Sequence, residues 1–214
     1  MIARVVDLGR MEYAACTEYQ REVLDAVAHG QQPNTLLFVE HEPVLTLGAN
    51  FHPENLLLPV AEYAPRGIDV QPTDRGGDVT YHGPNQLVIY PIFNLNDFGR
   101  DLHKWLRDLE ETVLRILLEY GLDGYRFPPH TGVWVKGAKV AAIGIKVRRW
   151  VSMHGIALNC NNDLAPFGLI VPCGIEGYDV TSISRELGKD VSVEQVKPVA
   201  TRAFQDVFGL RFAA

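Results

Sequence analysis

Three short stretches of this chain carry side chains able to do covalent or binding chemistry. Cys173 lies within Ile-Val-Pro-Cys-Gly-Ile, residues 170–175, flanked by a proline and a glycine. Such neighbours hold a loop in one backbone shape and leave a thiol accessible; a nucleophilic thiolate then needs a cationic or basic partner. The alternative is a small buried apolar cysteine, the role expected of Cys16 and Cys160. Lys139 follows Gly137-Ala138 and precedes Val140-Ala141-Ala142-Ile143-Gly144, so small residues on both sides leave room for an extended ligand. A hairpin lysine pointing into water is the plainer reading. The third stretch is Arg75-Gly76-Gly77-Asp78-Val79-Thr80-Tyr81-His82. Its glycine pair lets backbone approach a ligand while Arg, Thr and His orient it. A tight turn with a solvated arginine would look the same. The Gly-x4-Gly-Lys-Ser/Thr pattern of a P-loop is absent. His154-Gly155-Ile156-Ala157 again sets a histidine beside small residues, where a hydrogen-bonded structural histidine is the alternative.

The elements that must position these residues follow from hydrophobic period. Residues 11–28 place Tyr19, Val23 and Val27 at helical spacing. Residues 35–39 and 44–47 read as strand, turn, strand, and 86–92 as another strand. Residues 101–120 form the clearest helix, with Leu102, Trp105, Leu106, Leu109, Val113, Leu117 and Tyr120 on one stripe and Gly121 as its stop. Residues 132–135 and 140–147 read as a hairpin around the loop Lys136-Gly137-Ala138-Lys139, and 151–158 as a further strand. Residues 159–178 lack periodicity and carry Pro166 and Pro172, the mark of a long loop that is functional or mobile. Ser192-x-x-Gln195 can cap a last helix, in which Pro198 predicts a kink or a restart. Strands arriving in pairs predict an α+β domain spanning residues 1–214, its mixed or antiparallel sheet flanked by helices.

Composition narrows the function classes. The 214 residues are 47% apolar and 21% charged, with net charge −6, which argues against a general nucleic-acid binder. No apolar run approaches the roughly 18–20 residues of a membrane span, and the first residues lack a secretory leader's apolar core. Neither the three cysteines nor the seven histidines have metal-ligand spacing, and a reduced, cytoplasmic protein is expected. Against the acidic balance, the 39 residues from 124 to 162 contain no Asp or Glu but carry Arg126, Lys136, Lys139, Lys146, Arg148 and Arg149. Such a segment predicts either a solvated strand face or a docking surface for an acidic partner.

Taken together, RGGDVTYHGPNQLVIYPIFNL, HTGVWVKGAKVAAIGIKV, HGIALNCNNDLAPFGLIVPCGI and the earlier HEPVLTLG resemble the lipoyl(octanoyl) transferases, from about His41 to Thr181. The family's motif usually reads HGPGQ; here Asn85 stands for the second glycine, and the turn is expected to survive because Asn tolerates left-handed backbone. The resemblance implies the fold of the biotin and lipoate ligase catalytic domains. It also implies transfer of an octanoyl chain from octanoyl-acyl carrier protein to a lysine of lipoyl domains, those of 2-oxoacid dehydrogenase complexes and the glycine cleavage H protein. Cys173 would carry the acyl group as a thioester, and Lys139 would lower its pKa or take its proton. Arg75 to His82 would form one wall of the acyl pocket; Ala142-Ile143-Gly144 and His154-Gly155-Ile156-Ala157 would line another. No cofactor, metal, nucleic acid or membrane is implied. Rival readings are an ATP-dependent lipoate or biotin ligase and a non-catalytic carrier-binding module.

Overall fold

The computed structural model describes residues 1–171 and 179–213. Its main sheet has eight strands in the order β11-β1-β2-β6-β10-β9-β8-β7. These are β1 (Ile2–Met11), β2 (Thr35–His41), β6 (Gln86–Ile92), β7 (Tyr125–Phe127), β8 (His130–Val135), β9 (Ala138–Arg148), β10 (Val151–Asn159) and β11 (Arg211–Phe212). Strand β1 runs parallel to β2 and β11 and the remaining neighbours are antiparallel, so the sheet is mixed and the fold α+β. A three-stranded sheet, β4 (Asp69–Pro72), β3 (Val44–Leu47) and β5 (Val79–His82), stands beside it.

The helices follow from period and caps. In α1 (Tyr13–Ala28) a stripe of Cys16, Val23, Leu24 and Val27 packs on Leu37, Val39, Val88 and Tyr90 of the main sheet. The opposite face buries Leu36, Phe38, Leu87 and Ile89 under α2 (Leu102–Glu119) and α4 (Val193–Phe208). Burial on both faces is why β2 and β6 read as unbroken apolar runs rather than alternating ones. Asp101 caps α2 by accepting from the His103 and Lys104 amides, and Ser192 with Gln195 forms a complete capping box on α4. A short helix, α3 (Ile183–Leu187), precedes α4.

Several expectations from the sequence are corrected. Strands β2 and β3 do not form a hairpin: β2 pairs with β1 and β6, whereas β3 belongs to the small sheet. Leu102 is exposed, because it opens the first turn of α2 beyond the sheet's cover. Pro198 does not divide α4, which runs unbroken from Val193 to Phe208. The turn after β8 is shorter than expected: Lys136 and Gly137 both take positive φ, the twist that suits a two-residue hairpin. Lys139 therefore sits inside β9, opposite Trp134, rather than in a loop.

Candidate active site

Strands β6, β10 and β9 lie side by side at the middle of the main sheet and carry small residues at matched positions. Ala157 is opposite Ala142 and Val88, and one step on Gly155 is opposite Gly144. Those small side chains leave a cleft on the α1 side of the sheet, enclosing about 450 Å³ of empty space with its open mouth included. Strand β10 lines it with His154, Gly155, Ile156 and Ala157, and β9 with Ala142, Ile143 and Gly144; Arg75, Gly76, Gly77, Thr80 and His82 close it from above. Two stretches about 70 residues apart in sequence are thus brought onto one cavity.

Within the arginine stretch, strand alternation divides the residues. Thr80 and His82 face the cavity, while Val79 and Tyr81 point the other way into a cluster with Leu45, Tyr63 and Phe167. Asp78 lines a neighbouring hollow. Its carboxylate accepts from the amides of Val79 and His52, from His52 Nδ1 at 2.9 Å and from Asn55 Nδ2 at 2.7 Å. Burial pushes that carboxyl up, but these donors outweigh it and leave its pKa below the ordinary range.

The glycines of this region are required by backbone contact. A Cβ on Gly144 would lie 2.7 Å from the Gly76 carbonyl, and one on Gly155 would lie 2.4 Å from the Ile89 carbonyl. The Gly76 amide donates to the Ile145 carbonyl at 2.8 Å, so the glycine pair is laced directly onto β9. Asn85 adopts φ +67°, and the turn holds: the Gln86 amide donates to the Gly83 carbonyl and the Asn85 amide to Glu40.

A buried polar chain ties the cavity wall to Lys139. Arg75 Nη2 donates to the carbonyls of Thr46 and Asp78 at 2.7 and 2.8 Å, and with Nε to Thr46 Oγ1. The Thr46 hydroxyl donates to His82 Nε2, and His82 Nδ1–H to Gln86 Oε1 at 2.9 Å. The Gln86 amide passes the chain to Asn159 Oδ1, and Asn159 Nδ2 donates to the Thr181 carbonyl. The Thr181 amide donates to the Lys139 carbonyl, and the Lys139 amide to the Asp179 carbonyl, both at 2.9 Å. Lys139 is 7% exposed, its Nζ 4.7 Å from the centre of the Trp134 ring. It lines both the hollow beside Asp78 and a small void bounded by Thr80, Ala142 and Ala157.

Burial keeps His41, His82 and His154 neutral, whereas the bond to Asp78 raises His52. Burial lowers His41 to about 4 and His82 well below its ordinary value. Burial also lowers His154, although its bond to Asp74 opposes that shift; His154 Nε2–H donates to the carboxylate at 2.9 Å as a neutral ring. Burial raises the Tyr13 and Tyr90 hydroxyls, which stay protonated. Tyr13, Val88 and Tyr90 line the cavity without having been singled out in the sequence, where each looked like an ordinary apolar-face residue. Thr46, which holds Arg75, left only its place in HEPVLTLG as a trace.

Cys16 and Cys160 are buried, and burial pushes both thiols up to about 12, as expected of packing residues. Cys173 lies outside the described residues. The described residues on either side of that stretch are hydrogen-bonded: the Val171 amide donates to the Asn55 carbonyl at 2.8 Å, and the Asp179 carbonyl accepts from the Lys139 amide.

Of the six bases in the expected positive segment, three meet acids among the described residues. Helices bring acids to it: Arg126 meets Glu110 and Glu111, Lys136 meets Glu186, and Arg149 meets Asp25. Exposed Lys146 and Arg148 lie seven and nine residues beyond Lys139 on β9, about 23–30 Å along an extended strand. Among the described residues no cluster of His, Cys, Asp or Glu could hold a metal, and no helix is long and apolar enough to cross a membrane.

Comparison with known proteins bears on the family and the fold. The family described as the lipoyl protein ligase A/B catalytic domain matches residues 12–205. An octanoyltransferase of Geobacter metallireducens is 48% identical over 191 residues, 89% of this chain and 86% of that protein. One from Chloroflexus aggregans is 46% identical over 210 residues, covering 97% and 95%. A lipoate-protein ligase A bound with ATP superposes with TM-score 0.81 at 18% identity, covering 100% of this chain and 88% of that one. A biotin protein ligase from Aquifex aeolicus gives TM-score 0.54 at 12% identity, with 98% and 69% covered. The two ligases share the fold. The chain belongs to the lipoyl protein ligase A/B catalytic-domain family and, within it, to the octanoyltransferases, which are acyltransferases.

Proposed function

We propose that this chain moves an octanoyl group from octanoyl-acyl carrier protein to a lysine of lipoyl domains through a thioester on Cys173. The observation that carries the reading is the apolar cleft. It is narrow, lined by small residues from β9 and β10, and its wall is hydrogen-bonded through to the strand bearing Lys139. The segment holding Cys173 rejoins the described fold at Asp179, on the Lys139 backbone. In the first step the Cys173 thiolate adds to the donor carbonyl, the bond to the carrier sulfur breaks, and that sulfur takes a proton. In the second the acceptor amine attacks the Cys173 thioester, an amide forms, and the cysteine sulfur leaves. Lys139, at the edge of the cleft, passes the proton in both directions. Exchanging one thioester for another and then forming an amide needs no nucleotide. Both partners are soluble carrier domains, which fits a cytoplasmic reaction.

The test is intact mass after incubation with octanoyl-acyl carrier protein. One octanoyl adduct located to Cys173, lost in Cys173→Ser and discharged by a lipoyl domain, is the expected result. Activity that requires ATP and free octanoate, with no adduct from the carrier, would make the chain a ligase instead.

A further inference from the structure

The cleft has two distinguishable ends. Gly76, Gly77, Ile143 and Gly144 are shared with the hollow that Lys139 lines, and Thr80, Ala142 and Ala157 with the small void that Lys139 also bounds. Those residues mark the mouth. Tyr13, Tyr90 and His154 line the cleft alone and touch neither neighbouring space.

The chemistry of that far end suits a terminal methyl group. Tyr13 is 5% and Tyr90 3% exposed, so the end is closed to water. Each hydroxyl is turned into a partner: Tyr13 donates to Thr73 Oγ1 and Tyr90 to His41 Nε2, both at 2.9 Å. His154 spends Nε2–H on Asp74. The two tyrosines therefore leave rings rather than hydroxyls to meet a ligand, and among these three residues only His154 Nδ1 is buried without a hydrogen-bond partner. The Tyr13 ring is also held in place, stacked 6.0 Å from His82 and set edge-on to His41 at 5.2 Å. A wall pinned this way cannot swing aside for a longer chain without breaking buried contacts.

We propose that Tyr13, backed by Tyr90 and His154, is the floor that limits acyl chain length; this rests on the octanoyl-transfer reading. Tyr13 is the informative position because it opens α1 and its partner Thr73 lies on an intermediate-exposure loop. The experiment compares hexanoyl, octanoyl, decanoyl and dodecanoyl thioesters of N-acetylcysteamine, following acylation of the full chain by intact mass. In Tyr13→Ala, decanoyl should gain on octanoyl by about 15-fold, roughly fourfold for each extra methylene seated. Tyr13→Phe keeps the ring and should keep the wild-type order. If thermal melting shows Tyr13→Ala unfolded, Tyr13→Leu retains packing on His41 and His82 and should show the same shift, smaller. Wild-type octanoylation with an unchanged chain-length order in the folded variants overturns the floor and leaves the transfer reading standing. A wild-type chain that takes no acyl group from any thioester overturns both.

Discussion

Gln86 is the link on which the polar chain beneath the cleft depends. It is 1% exposed; its Oε1 accepts from His82, and its amide donates to Asn159 and to the Tyr81 carbonyl at 3.2 Å. Gln86→Leu keeps the volume but strips three contacts at once. His82 Nδ1–H is left buried without its acceptor, a penalty of about 1–3 kcal/mol, and each other lost hydrogen bond adds about 1 kcal/mol. Asn159 Oδ1 softens the loss because Asn162 still donates to it at 3.1 Å. A total of about 3 kcal/mol follows, or a fall of roughly 6–12 °C in melting temperature for a chain of this size. Function should suffer as well, since Asn159 holds Thr181 and Thr181 clamps the Lys139 backbone. The assays are urea unfolding followed by fluorescence and circular dichroism, and acylation by a small octanoyl thioester. A stability loss under about 1 kcal/mol with full acylation would refute the view that this chain holds the site together.

Other consequences can be checked directly. His41 is lowered from 6.5 to about 4, so the unfolded chain binds its proton first as pH falls; its share of stability is intact above about pH 6.5 and fades toward pH 4, with about 2 kcal/mol lost by pH 5. His82 and His154 shift the same way, and His41→Gln should flatten the urea midpoint against pH. At Gly132, φ is +137° and a Cβ would lie 2.7 Å from the Ala141 carbonyl and 3.4 Å from Lys139 Cε. Gly132→Ala should therefore cost about 1–3 kcal/mol in thermal unfolding and displace Lys139 enough to slow acylation. Lys139→Met should abolish transfer between proteins, followed as octanoyl transfer to a lipoyl domain by intact mass.

How much was legible in advance depended on what each residue answers to. Segments with one strong period, such as α2 and β6, were readable because burial of a whole face dictates them. Strand β1 was not, because exposed and half-buried residues mix along it and its pairing with β2 and β11 is a long-range event. The glycine and histidine motifs pointed to the cavity through their residue types. Tyr13, Val88 and Tyr90 did not, because a tyrosine or valine lining a cleft has the same local sequence signature as one filling a core. The ion pairs of the basic segment were not legible for a different reason: Glu110, Glu111, Glu186 and Asp25 are remote in sequence, and only folding sets them against it.

The cleft and the chemistry have separate causes. Gly144 and Gly155 are small because the Gly76 and Ile89 carbonyls press on them, so the slot arises from how β6, β9 and β10 and the glycine pair pack. A lipoate-protein ligase A bound with ATP shares this fold at 18% identity. The frame therefore accounts for where an acyl chain would lie and not for how the acyl group arrives. Lys139 stands on the other side of that division. Lys139 is 7% exposed with Nζ over the Trp134 ring, and burying a basic group costs free energy unless its contacts offset it. Gly132 is kept clear of its stem, and Thr181 and Asp179 fix its backbone. In the reaction proposed for this chain, Lys139 so fixed beside the apolar slot is the proton carrier, a part that the slot alone does not supply.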